Sequence, residues 1–220
     1  KIATGSGTQD LALVFGEGVR NEKYVDFQVT WPKECKVSIV KKDQDTGNAL
    51  AGAVYGIYSD AACTKLIAEM PATDQNSASQ LTMEKTQEVV YLKEISVPTG
   101  YQIDTKSYNV TLAIGKTTTK NVTDKRVNAK INIAKQDAET GNAAQGDATL
   151  EGAVYGLYAR EDIVHPDGRT GTIHKKDSLI TSLTTDKNGE ASVSDPYLGK
   201  YYLKELSAAV GHVLEPTAPE

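Results

Sequence analysis

The stretch Val37-Ser38-Ile39-Val40-Lys41-Lys42-Asp43-Gln44-Asp45-Thr46-Gly47-Asn48 decides the fold, because it returns as Ile131-Asn132-Ile133-Ala134-Lys135-Gln136-Asp137-Ala138-Glu139-Thr140-Gly141-Asn142. Alternate side chains of a strand share a face. Val37, Ile39 and Lys41 therefore point one way, as do Ile131, Ile133 and Lys135. Each copy sets a lysine in phase with its apolar face. An unpaired buried ammonium is very costly, so either these lysines snorkel to the strand end or the core holds groups made for them.

Outward from this stretch, other pieces also recur. Gly52-Ala53-Val54-Tyr55-Gly56 returns as Gly152-Ala153-Val154-Tyr155-Gly156, and Tyr91-Leu92-Lys93-Glu94 as Tyr202-Leu203-Lys204-Glu205. The spacing between matching pieces widens along the chain, so the second copy is the same unit with longer loops. Its largest insertion, between Arg160 and Asp177, carries His165-Pro166-Asp167-Gly168-Arg169-Thr170-Gly171, a run of turn-forming residues. Short runs rich in Thr, Val, Ile and Tyr, separated by turn clusters, point to an all-β chain built as tandem β-sandwiches. Only Asp60 to Glu69 and a few loop residues are expected to form a helical turn or two. The first copy continues through Tyr108–Ile114 and Lys120–Asp124, whereas the counterpart of Asp124 falls beyond Glu220, so the second copy is expected to lack its last strands.

Residues 1–34 read as a β-hairpin, with Val25, Phe27, Val29 and Trp31 alternating before Pro32. Two strands do not make a domain, so this hairpin is expected to complete a preceding one. The expected division is 1–34, then a first domain at 35–127 and a second at 128–220. A chain opening at Lys1 reads as a mature or excised fragment.

With 220 residues, 39% hydrophobic and 24% charged, the composition is globular. A net charge of -5 without a long basic run argues against nucleic acid or an anionic membrane as the main partner. No apolar stretch is long enough to span a bilayer. Cys35 and Cys63 allow one disulfide, which would suit an extracellular location, or two separate buried thiols. His165, His174 and His212 lack zinc-ligand spacing. Asp43 to Asn48 resembles the start of a calcium loop, but Val54 stands where the bidentate glutamate belongs, so a turn is expected and no metal. No phosphate-binding loop or nucleophile elbow is present, and neither a cofactor nor turnover chemistry is expected.

Three polar residues of the first copy share the phase of apolar faces: Lys41 after Val37 and Ile39, Glu94 after Val90 and Leu92, and Asp124 after Val122. Asn109 and Asn121 are out of phase. Burial disfavours charged forms. A neutral lysine amine is a nucleophile, and a Glu94 carboxyl carrying its proton could polarise the Asp124 carbonyl and shuttle protons. With water excluded, an amide between Lys41 and Asp124 becomes feasible without an external catalyst. The plainer alternative is a lysine paired with one or two carboxylates at a sandwich edge.

With these pieces in place, residues 35–220 resemble two tandem collagen-adhesin B-type (CnaB) domains, also described as prealbumin-like or SpaA-type, of Gram-positive surface proteins and pilins. The resemblance rests on I-V-K-K-D-x-D-T-G-N and I-A-K-Q-D-x-E-T-G-N, on G-A-V-Y-G-I-Y and G-A-V-Y-G-L-Y, on Y-L-K-E in both copies, and on the endings P-T-G-Y-Q-I-D and V-G-H-V-L-E. It implies an isopeptide bond from Lys41 to Asp124 promoted by the E-box Glu94. Asp stands where Asn is more usual, so water rather than ammonia would leave. In the second copy only Lys135 and Glu205 carry over, with no bond partner in the chain. Trp31-Pro32-Lys33-Glu34 partly resembles the pilin motif whose lysine sortase joins to the next subunit, which would make Lys33 the acceptor.

The expected function is a structural stalk of a cell-wall-anchored extracellular adhesin or pilin, whose partners are adjacent domains of the same protein. A second reading is a module that binds a host matrix or cell-surface ligand through the long loop from Arg160 to Asp177. A third, a transthyretin-like hydrolase, is disfavoured because no histidine lies near the repeated Lys/Glu pair in sequence.

Overall fold

The alternation in the opening stretch produces β1 (Glu34–Asp43), on which Cys35, Val37, Ile39, Lys41 and Asp43 are all buried. The structure, a computed structural model, describes residues 33–141 and 143–214. The expected N-terminal hairpin lies outside the described residues, apart from its last two.

After β1 come β2 (Val54–Tyr58), β3 (Leu66–Glu69), β4 (Ala78–Glu84), β5 (Val89–Ser96), β6 (Ser107–Thr111) and β7 (Thr117–Asp124). They form a sheet of order β4-β1-β7 and a second of order β3-β2-β5-β6. The first and last strands lie side by side and parallel, in register from Lys36 opposite Thr117 to Asp43 opposite Asp124. Val37 and Ile39 of one sheet pack with Tyr55, Ile57, Val90 and Leu92 of the other in one core cluster. The glycine repeated in G-A-V-Y-G has a steric reason: a Cβ on Gly56 would come within 2.7 Å of the Tyr58 ring, and one on Gly156 within 2.6 Å of Tyr158.

The second copy repeats the plan with β8 (Lys130–Ala134), β9 (Val154–Ala159), β12 (Leu179–Thr184), β13 (Glu190–Ser194) and β14 (Tyr201–Ser207). Here β8 pairs with β13, and β9 lies between β12 and β14. The insertion supplies β10 (Ile163–Val164) and β11 (Thr172–His174), a hairpin of its own. Among the described residues no strand runs beside β8 as β7 runs beside β1.

One expectation fails. The helical turns expected over Asp60 to Glu69 are a tight turn followed by β3, which pairs along β2. The Asp60 carboxylate accepts the backbone N–H groups of Thr64 and Lys65, and Cys63 takes a left-handed φ of 53°. Both end the chain's turn before a helix can propagate. Of the two states that the cysteine count leaves open, the structure has free thiols, Cys35 buried and Cys63 half-buried. Cys35 faces the core from β1, with its Sγ 3.6 Å from the Met83 carbonyl; Cys63 sits in the turn between two strands of the other sheet. Burial pushes both thiols above their ordinary value.

Alkylation at mildly alkaline pH followed by intact-mass measurement is expected to label Cys63 in the native chain and both cysteines after denaturation. Rapid double labelling of the native chain would show that the start of β1 is not packed as described.

Candidate functional site

The phase of β1 carries Lys41 into the sandwich, where it is 0% exposed. Its Nζ lies 3.0 Å from Glu94 Oε1, which β5 brings in from the opposite sheet. It also contacts Asp124 Oδ1, supplied by the last residue of the neighbouring β7. The structure thus brings together all three residues singled out in the first copy, and Asn109 and Asn121 face outward.

A fourth member, Tyr55 of β2, receives a hydrogen bond from Lys41 Nζ at 2.7 Å, with its ring centroid 5.2 Å from that nitrogen. Sequence reading used this tyrosine only as a repeat marker. The available signal was its recurrence as Tyr155 beside the repeated Lys/Glu pair. Glu94 is fixed from behind, because its Oε2 accepts the Asp104 backbone N–H at 2.7 Å. Its Oε1 is within ion-pair distance of Nζ but off the hydrogen-bonding direction, so Glu94 Oε1 and Asp124 Oδ2 are both left without a hydrogen-bond partner.

One cation thus faces two buried carboxyls. Burial pushes Asp124 up to about 7, against the pull of Lys41 and with added repulsion from Glu94. Burial thus favours the uncharged acid form of Asp124. Burial also holds the Tyr55 phenol far above its ordinary value, so it stays protonated. The ensemble can position an amine against a carboxylic acid in a water-free space.

The second copy is looser. Lys135 Nζ lies 3.0 Å from Glu205 Oε1 and 3.5 Å from Tyr155 Oη, but the two charged side chains keep 11% and 5% exposure. Burial works against the Lys135 charge, yet Glu205 and Tyr155 outweigh it and raise its pKa. Beside it lies an open cleft of about 910 Å³ lined by Ile133, Lys135, Tyr155, Glu205 and His212, among others. Lys33 is exposed just before β1, and its carbonyl accepts the Lys85 N–H.

A separate polar cluster joins the two copies. Asp43 Oδ1 accepts the N–H groups of Asp45 and Thr46, giving the turn expected after β1 in place of a calcium loop. Ligand-capable atoms of Asp43, His165 and Asp167 all lie within 4.8 Å of one another. The insertion carrying the last two therefore faces the first copy.

The SpaA prealbumin-like fold domain profile matches residues 35–126 and again residues 129–219. The chain belongs to the SpaA prealbumin-like domain family. Among solved structures it is similar to the Bacillus anthracis TIE protein, with 22% identity and a TM-score of 0.63, over 84% of this chain and 30% of that one. It is also similar to a Streptococcal ancillary pilin at 22% identity and a TM-score of 0.41, over 86% of this chain and 59% of that one. A shaft pilin from Lactobacillus rhamnosus GG matches at 15% identity and a TM-score of 0.36, over 84% and 93% of the two chains. The chain thus spans under a third of the first of these proteins and under two thirds of the second. No curated protein sequence matches significantly. Among the described residues no helix is long and apolar enough to cross a membrane.

Tyr55→Phe removes the hydroxyl that accepts from Lys41 and leaves the ring in place. It is expected to cost about 1–3 kcal/mol in denaturant unfolding, the cost of depriving a buried polar group of a partner. A loss below measurement error would show that Tyr55 contributes packing alone.

Proposed function

We propose that the first copy closes an amide between Lys41 Nζ and the Asp124 side-chain carbonyl carbon, and that the chain is a load-bearing stalk segment of a Gram-positive cell-wall-anchored adhesin or pilin. The modules of this stalk are 35–127 and 128–220. The observation that carries the reading is the wholly buried Lys41, in contact with Glu94 and Asp124 at once.

The reaction balances within the site. Glu94 takes a proton from the Lys41 ammonium, and the freed amine attacks the carbonyl carbon of protonated Asp124. The C–N bond forms, the C–O bond breaks, and protons relayed through Glu94 let oxygen leave as water. One proton of the former ammonium ends on Glu94, so a buried ion pair becomes two neutral groups. Removing the charges relieves the desolvation cost that made this site unfavourable. In the second copy Glu205 lies against Lys135, but among the described residues no strand beside β8 supplies a counterpart of Asp124, and the proposal is confined to the first.

The geometry suits tension. Force entering β1 at Glu34 and leaving β7 at Asp124 would shear two parallel neighbours. The link shortens that path, running along β1 to Lys41 and straight into Asp124, and it bypasses the 83-residue separation between them. By analogy with a disulfide closing a loop of that size, it should stabilise by about 4–5 kcal/mol through the unfolded state.

Intact-mass measurement of the native chain is expected to show one water missing, with Glu94→Ala or Asp124→Ala restoring the full mass and lowering the melting temperature. A full mass in the unaltered chain sinks the proposal. A pH series gives an independent check. A free Asp124 binds its proton more tightly folded than unfolded, so its contribution is complete below the ordinary 3.8 and lost as pH rises through about 7. The linked chain has no such carboxyl and should lack that loss, and its appearance in the unaltered chain would count against the bond.

A further inference from the structure

The insertion hairpin repeats, in miniature, the turn on which it sits. Asp43-Gln44-Asp45-Thr46-Gly47 and Asp167-Gly168-Arg169-Thr170-Gly171 share the pattern D-x-x-T-G. In both, the aspartate Oδ1 accepts the backbone N–H groups two and three residues on, at 2.7 Å in the first and 2.8 Å in the second. Both end on a glycine with positive φ, +73° at Gly47 and +84° at Gly171.

We propose that the β10–β11 hairpin is a clasp whose partner is the D-x-x-T-G-N turn of the first domain, and that it makes the two domains open and close as one unit. The contacts are specific. Asp167 Oδ2 accepts from Asn48 Nδ2 at 2.9 Å and from Thr46 Oγ1 at 3.2 Å. Asn48 Nδ2 also reaches Thr170 Oγ1 at 3.2 Å, and the Arg169 guanidinium donates to the Gln75 carbonyl. Pro166 packs on Gly100, where a Cβ would come within 2.6 Å of it, so the fit requires a glycine there. Beside the clasp, Arg126 pairs with Asp195 at 2.6 Å and lies 4.3 Å from the Tyr197 ring centroid, whose edge in turn meets the buried His165.

The interface is built rather than incidental. Asp167 and His165 are 8% and 2% exposed although they sit on an inserted loop. Hydrogen bonds from Thr170 and Asn48 overcome the burial penalty and hold the Asp167 carboxyl well below the usual carboxylate range. That occupancy favours a domain contact over a cation site at Asp43, His165 and Asp167, because the carboxylates already accept backbone, hydroxyl and amide donors. The clasp also lies beside the end of β1: Asp43, two residues past Lys41 and opposite Asp124, has a carboxylate oxygen within 4.8 Å of His165 and Asp167 and receives the Tyr101 hydroxyl at 2.5 Å.

Hydrogen exchange on the full chain tests this. Asn48→Ala alters only the first domain's side and leaves the hairpin's own turn bonds in place. It is expected to speed exchange of the Arg169 and Thr170 amides about fivefold, the effect of losing roughly 1 kcal/mol of hydrogen bonding. Asp167→Ala should in turn speed exchange of first-domain amides around Asp45 and Thr46. Exchange in each domain that ignores the substitution in the other overturns the clasp. So does protection that appears only on adding Ca²⁺ or Zn²⁺ and is lost in Asp167→Ala, which would make the cluster a cation site.

Discussion

An ammonium group with no access to water constrains everything around it. Lys41 cannot be left alone at 0% exposure, since an isolated buried charge costs far more than one side chain's packing returns. Its neighbours answer that demand from every direction: Glu94 and Tyr55 from the facing sheet, and Asp124 from the adjacent strand. The parallel pairing of β1 with β7 is what places the last of these beside it. Burial nonetheless raises the Asp124 pKa against the pull of Lys41, with repulsion from Glu94 added, and Glu94 Oε1 and Asp124 Oδ2 are left without a hydrogen-bond partner. The second copy never meets this difficulty. Lys135 keeps some solvent, and Glu205 with Tyr155 suffices to hold it as a cation. The same residue types therefore give a wholly buried lysine between two carboxyls in one copy and a partly exposed ion pair in the other, with burial and the third strand making the difference.

Periodicity revealed which face each polar residue would occupy, and this made Lys41, Glu94 and Asp124 legible. A strand's phase depends only on its own sequence, and for Lys41 and Glu94 the second copy repeated it as Lys135 and Glu205. Tyr55 was not legible, because an aromatic in phase with a core is ordinary and its hydroxyl partner is set by the distance between sheets. The segment after Asp60 was misread for a related reason. Leu66-Ile67-Ala68-Glu69 is too short to show a period, and it becomes a strand because β2 offers an unpaired edge. Cysteine parity likewise carried no distance: Cys35 follows the phase of β1 into the core, and Cys63 belongs to a turn on the other sheet. The hairpin turn at Asp167 could be foreseen as a turn, but its partner 119 residues earlier at Asn48 could not.

The clasp and the proposed link act on the same piece of backbone by different means. A covalent link removes the segment between Lys41 and Asp124 from the load path, but it does nothing to orient the next domain. The connection into β8 remains a short stretch of chain that could swivel. Asp43, Asp45, Thr46 and Asn48 occupy the loop leaving the loaded strand, and the hairpin and Arg126 engage that same loop. Individually such contacts are modest, and a 3.7 Å ion pair with one exposed partner, as Arg126 makes with Asp45, contributes little. Together they hold many groups in one geometry at the cost of ordering only a short hairpin already fixed by its own turn bonds. The recognition is therefore preorganised, and the proposed clasp would stiffen the junction through a hairpin whose turn is already closed by its own bonds.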